Sequence, residues 1–146
     1  MYPAVRAFAD ELRSQNEEPV LLLTWARRDG LPDIGFPDFA AMQAQLTEGY
    51  MSIADELGIR VAPAGVAWQA ALATDASLAL WEADGSHPSV AGSYLTACVL
   101  YATLFRESPV GLPTASALSW DLARYLQEIA GQTVMTEPAR WHLPPP

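Results

Sequence analysis

Pro19-Val20-Leu21-Leu22-Leu23-Thr24-Trp25-Ala26 is an unbroken apolar run. It is far shorter than the roughly 20 residues that a helix needs to cross a bilayer. A run without polar alternation fits a strand buried on both faces, and such strands belong to parallel sheets covered by helices. The flanking segments agree. Upstream, Pro3 suits a first helical turn, and Val5, Phe8, Ala9 and Leu12 recur at helical spacing until Arg13 and Asn16. Downstream, the glycines and prolines of residues 27–37 predict a loop. Asp38 is placed to cap a second helix, whose stripe is Phe39, Met42, Leu46, Tyr50, Ile53 and Leu57 and whose end is marked by Gly58. Ile59-Arg60-Val61-Ala62 then reads as a second strand, stopped by Pro63. Strand, helix, strand is the βαβ unit. The fold class expected is α/β: a partial three-layer α/β/α arrangement, flavodoxin-like, with a small parallel sheet flanked by helices.

The rest of the chain reads as helical. A short helix carries Trp68 between Gly65 and Ala73. A long apolar helix occupies residues 89–105, and Ser108-Pro109 marks its end, because residues before proline avoid the α region. A last helix is expected from about Ser116 to Ala130, with Leu118, Leu122, Tyr125 and Ile129 on one face and Gly131 as its stop. Residues 1–136 form a single domain in this reading, which the short sheet makes incomplete. Residues 137–146, ending in three prolines, are expected to be an extended surface tail that carries His142. No internal repeat is visible.

Composition narrows the function classes. The 146 residues are 51% hydrophobic and 17% charged, which suits a folded domain with a core of its own. The net charge of −9 argues against nucleic acid and anionic membrane surfaces as partners. Every basic residue is arginine, so a Schiff-base lysine and a phosphate-loop lysine are excluded. Cys98, the only cysteine, lies in an apolar helix and reads as a small core residue. Two histidines and one cysteine are too few for the usual structural zinc ligands, and no cofactor or metal is expected. The first residues lack the apolar segment of a signal peptide, and the sequence leaves the compartment unassigned.

One stretch carries chemistry: Asp84-Gly85-Ser86-His87-Pro88-Ser89-Val90-Ala91-Gly92. Asp-x-x-His has two readings at this point. Asp84 can cap a turn in which His87 merely packs. Alternatively, the carboxylate can fix the imidazole tautomer while the other ring nitrogen takes a proton from a nucleophile. Trp25, Arg27 and Arg28 follow the first strand, at the carboxyl end where open α/β sheets place their ligands, and are candidates for substrate contact. Equally, the arginines can be solvated and Trp25 can belong to the core.

Asp84-Gly85-Ser86-His87-Pro88-Ser89, followed by Gly92-Ser93-Tyr94-Leu95, resembles the last conserved block of the SGNH (GDSL-type) hydrolases. The order around it, with Leu23-Thr24-Trp25-Ala26, a helix, and Arg60-Val61-Ala62-Pro63 followed by Gly65 and Trp68, is similar to the C-terminal half of bacterial members. The likeness spans residues 19–111. It implies an α/β/α esterase acting on a small-molecule carboxylic ester of a carbohydrate or lipid, with His87 as general base and Asp84 as its orienting partner. The family's nucleophile lies in a Gly-Asp-Ser block, and a glycine and an asparagine complete its oxyanion hole. This sequence departs there. It has no Gly-Asp-Ser, no Gly-x-Asn-Asp and no Gly-x-Ser-x-Gly, and its single asparagine is Asn16.

Two functions follow as expectations. One is the base-bearing C-terminal portion of a serine esterase, inactive until a serine block is supplied. The other is a truncated, non-catalytic α/β module that binds a ligand or partner protein. In either case a sheet of two strands should leave one edge of Val20–Thr24 open, to a homodimer or to a missing N-terminal segment.

Overall fold

The computed structural model describes residues 2–114 and 117–144. Its elements, in order, are α1 (Tyr2–Ser14), β1 (Val20–Leu22), α2 (Phe39–Leu57), β2 (Arg60–Ala62), α3 (Ala64–Thr74), α4 (Val90–Phe105) and α5 (Trp120–Met135). Short 3₁₀ turns occupy Pro32–Ile34 and Pro138–Trp141. The architecture is α/β. The two strands pair in parallel, Val20 opposite Arg60, Leu21 opposite Val61 and Leu22 opposite Ala62, and helices flank them.

Local chemistry explains the boundaries. Asp38 is extended and accepts the Ala41 N–H, capping α2, while Gly58 ends it in the left-handed region at φ 62°. Ser89 caps α4 through the Gly92 N–H, and Ser119 caps α5 through the Leu122 N–H. The first strand is shorter than its apolar run. After Leu23 donates to the Ala62 carbonyl and accepts from the Gly65 N–H, the chain leaves the ladder. The fully buried Gln43 holds the departing segment. Its Oε1 accepts the Ala26 N–H at 2.8 Å and its Nε2 donates to the Thr24 carbonyl at 3.3 Å. Nor is the strand buried on both faces along its length, since Leu22 is 38% exposed.

The core is built around Trp68 of α3. Trp25 stacks on it at 4.5 Å between ring centroids, with 4° between planes, and Trp81 meets it edge-on at 5.0 Å. The Trp68 indole N–H donates to Thr96 Oγ1 on α4. Gly92 lets α4 approach, because a Cβ there would lie 2.2 Å from the Leu80 carbonyl oxygen and 2.5 Å from the Trp68 ring. Cys98 is buried in this core, and burial pushes its thiol up to about 11.

Two expectations need correction. Gly131 does not stop the last helix: α5 starts at Trp120 and runs through Gly131 to Met135. Gly131 serves as a small surface under Pro109, which would stand 3.4 Å from a Cβ. The expected start at Ser116 lies outside the described residues. The tail is not an extended surface segment up to Pro144. Pro138–Trp141 turns back, burying Trp141 to 1% exposure, with the Trp141 indole N–H on the Thr133 carbonyl. His142 reaches α2, its Nε2 lying 2.8 Å from Asp55 Oδ1.

Candidate active site

The segment between α3 and α4 folds into a small closed loop. Trp81 and Pro88 form an antiparallel bridge, the Glu82 N–H donates to the His87 carbonyl at 2.8 Å, and the Ser89 N–H donates to the Leu80 carbonyl at 2.9 Å. Asp84 organises the tip. Its Oδ1 accepts the N–H groups of Ser86 at 2.9 Å and His87 at 3.0 Å. Its Oδ2 lies 2.5 Å from His87 Nδ1. The carboxylate thus caps the turn and holds the ring at the same time. Gly85, at φ 67°, takes the left-handed position that the turn requires.

This arrangement sets the electrostatics. The imidazole hydrogen bond, followed by the Ser86 and His87 N–H groups, holds the Asp84 carboxyl well below the usual carboxylate range. An ionised Asp84 accepts only, so the neutral ring must carry its proton on Nδ1. Nε2 is then the basic nitrogen. No group among the described residues hydrogen-bonds it, and the His87 side chain is 78% exposed.

The loop after β1 is tied to this turn. The Trp25 indole N–H donates to the Ser86 carbonyl at 3.1 Å, and the Arg28 N–H donates to the Gly85 carbonyl at 2.9 Å. Trp81 closes the ring of contacts through its N–H on the Ala26 carbonyl at 3.1 Å. The pair thus stands at the carboxyl end of the strands. The candidate contacts divide. Arg28 is brought beside the turn, its guanidinium about 3.3 Å from where a Gly85 Cβ would be. It is held by Asp29 at 3.0 Å, which, with the charge of Asp84 behind it, raises its pKa. Arg27 is exposed and makes no ion pair among the described residues. Trp25 is half-buried and packs against Trp68.

Other serines are differently placed. The Ser89 hydroxyl donates to the Ala79 carbonyl at 2.6 Å while capping α4, so it is committed. Ser93 is exposed and lines a shallow hollow with Glu82, Pro88, Val90, Tyr94 and Ala97 next to the turn. Asp29 and Gln43 are the supporting residues that the sequence reading missed. Adjacent Arg28-Asp29 was a visible signal for the first, but nothing local marks Gln43. Among the described residues no group of three or more His, Cys, Asp or Glu side chains is arranged to hold a metal, and no helix there is long and apolar enough to cross a membrane.

No family model and no curated protein matches this chain. Among solved structures, the chain is similar to a DUF4886 family protein from Bacteroides uniformis ATCC 8492, with a TM-score of 0.78 at 18% sequence identity. The match covers 94% of this chain and 58% of the other, so the chain spans less than two-thirds of that protein's length, and the likeness shows the fold.

Proposed function

We propose that this chain carries the acid–base half of an SGNH-type serine esterase that hydrolyses small-molecule carboxylic esters of a carbohydrate or lipid. His87 is the general base and Asp84 its orienting partner. The observation that carries the reading is the contact of 2.5 Å between Asp84 Oδ2 and His87 Nδ1, which leaves Nε2 outward at the carboxyl end of the strands. In the reaction, Nε2 takes the proton of a serine hydroxyl as its oxygen adds to the ester carbonyl. The same proton then passes to the departing alcohol. Asp84 keeps the ring oriented and stabilises the imidazolium. In this reading Arg28, held beside the turn, and Arg27 and Trp25 of the same loop are the candidates for contact with a polar or anionic part of the substrate. The serine and the oxyanion donors belong to polypeptide beyond the described residues.

The second reading is a non-catalytic module that binds a ligand or partner on this face, where the Ser89 hydroxyl, spent on a helix cap, offers no nucleophile. An assay separates the two. The chain alone should not turn over a short-chain aryl ester. With a Gly-Asp-Ser-bearing segment of an SGNH hydrolase fused upstream or added in trans, turnover should appear and fall at least about 10²-fold in His87→Ala. A supplemented protein that folds, binds the ester and stays inactive would favour the binding module.

A further inference from the structure

A hollow of about 430 Å³ lies against the flank of the Asp84–His87 turn. Val90, Ser93, Tyr94 and Ala97 recur at helical spacing and give it one face of α4 as a wall. Pro88 and Glu82 supply the rest, and they tie the hollow to His87. The Glu82 N–H donates to the His87 carbonyl at 2.8 Å, and Pro88 follows His87 in the chain.

Tyr94 is fixed before any ligand arrives. Its phenol donates to the Pro113 carbonyl at 3.2 Å and accepts from Gln127 Nε2 at 2.6 Å. Gln127 is 3% exposed, and it also accepts the Gly111 N–H and donates to the Leu112 carbonyl. With its hydroxyl spent on these groups, Tyr94 offers the hollow only its ring, and a ring already held loses little freedom on binding. The two polar side chains are the opposite. Glu82 and Ser93 are exposed, and among the described residues neither the carboxylate nor the hydroxyl has a hydrogen-bond or ion-pair partner.

This lining discriminates between ligands. An anion is repelled by Glu82 and by Asp84 of the same turn. A cation gains only an exposed ion pair with Glu82, worth little in water, and meets the positive end of the α4 dipole. An alkyl chain covers Tyr94 and Val90 but takes water from the Glu82 carboxylate without replacing it. A sugar ring meets every group. Its C–H face covers Tyr94 and Val90, while its hydroxyls donate to Glu82 and exchange hydrogen bonds with Ser93. We propose that the hollow is a subsite for a neutral sugar ring. That this ring is the alcohol half of the ester attacked beside His87 rests on the esterase reading; the binding does not.

Proton–nitrogen NMR of the chain, titrated with methyl β-D-glucopyranoside, tests the binding without any activity. The Val90, Ser93 and Ala97 amides should shift together and saturate with a Kd of about 1–10 mM. Glu82→Ala and Ser93→Ala, both at exposed positions, should each weaken binding about three- to ten-fold and leave the thermal midpoint unchanged. Methyl β-D-glucuronide, choline and 1-hexanol should each bind at least about five-fold more weakly than the glucoside. The proposal is overturned if those amides stay unmoved up to about 100 mM glucoside. It is equally overturned if both variants bind as the unaltered chain does, or if the anionic, cationic or alkyl probe binds as tightly as the sugar. These shifts need no serine, so inactivity of the serine-supplemented protein counts against the esterase reading alone.

Discussion

Asp84 is the residue on which the candidate site turns, because three hydrogen bonds converge on one exposed carboxylate. Its depressed pKa has a direct consequence for pH. The contribution of an Asp whose folded pKa is lowered is present above the unfolded value, near 3.9, and disappears as pH falls through the folded value. The turn should therefore keep its hydrogen bonds at pH 4 and release His87 only in stronger acid. A carboxyl-carbon NMR titration should find Asp84 titrating well below the usual carboxylate range. Asp84→Asn tests the same contacts differently. The amide can still accept the two N–H groups but no longer fixes the ring by charge, so His87 should gain mobility with little change in global stability.

At the scale of elements, the contact of α3 with α4 is closely fitted through Trp68 and Gly92. Trp68→Ala removes the ring that Trp25 and Trp81 both pack on and should cost about 3–5 kcal/mol in denaturant unfolding. Gly92→Ala forces a methyl onto the Leu80 carbonyl and should cost about 1–3 kcal/mol or more. Ser119→Ala, which loses only a cap, should cost about 1 kcal/mol. Caps of this kind were legible in the sequence, as Asp38 and Gly58 illustrate, since each acts within a few residues of itself. Gly131 misled for the complementary reason. The local rule for a stop was satisfied, but Gly131 keeps helical backbone and the helix continues through it to Met135. The β1 run was legible as a strand, whereas its early end was not, because Gln43 lies a helix away in sequence.

Across the whole molecule, the fold class and the parallel pairing could be read from the chain, because a buried run, an amphipathic helix and a second short run admit few topologies. The Asp84–His87 contact could also be read, as both partners sit in one turn. The scaffold beneath it could not. Trp25, Trp68 and Trp81 gather from three separate segments, and Trp141 returns from a tail whose prolines suggested an extended path. A chain truncated after Thr136 should accordingly lose several degrees of thermal midpoint, measured by calorimetry, by unburying Trp141 and releasing the His142–Asp55 contact. The central claim is narrower, that this fold presents His87 with Nδ1 engaged and Nε2 ready to accept a proton. Long-range proton–nitrogen NMR of the imidazole, at a pH where the ring is neutral, measures this directly. The structure predicts the Nδ1–H tautomer with an unprotonated Nε2, collapsing toward a tautomer mixture in Asp84→Ala. A proton found on Nε2 in the unaltered chain, or a tautomer indifferent to Asp84, would contradict the account.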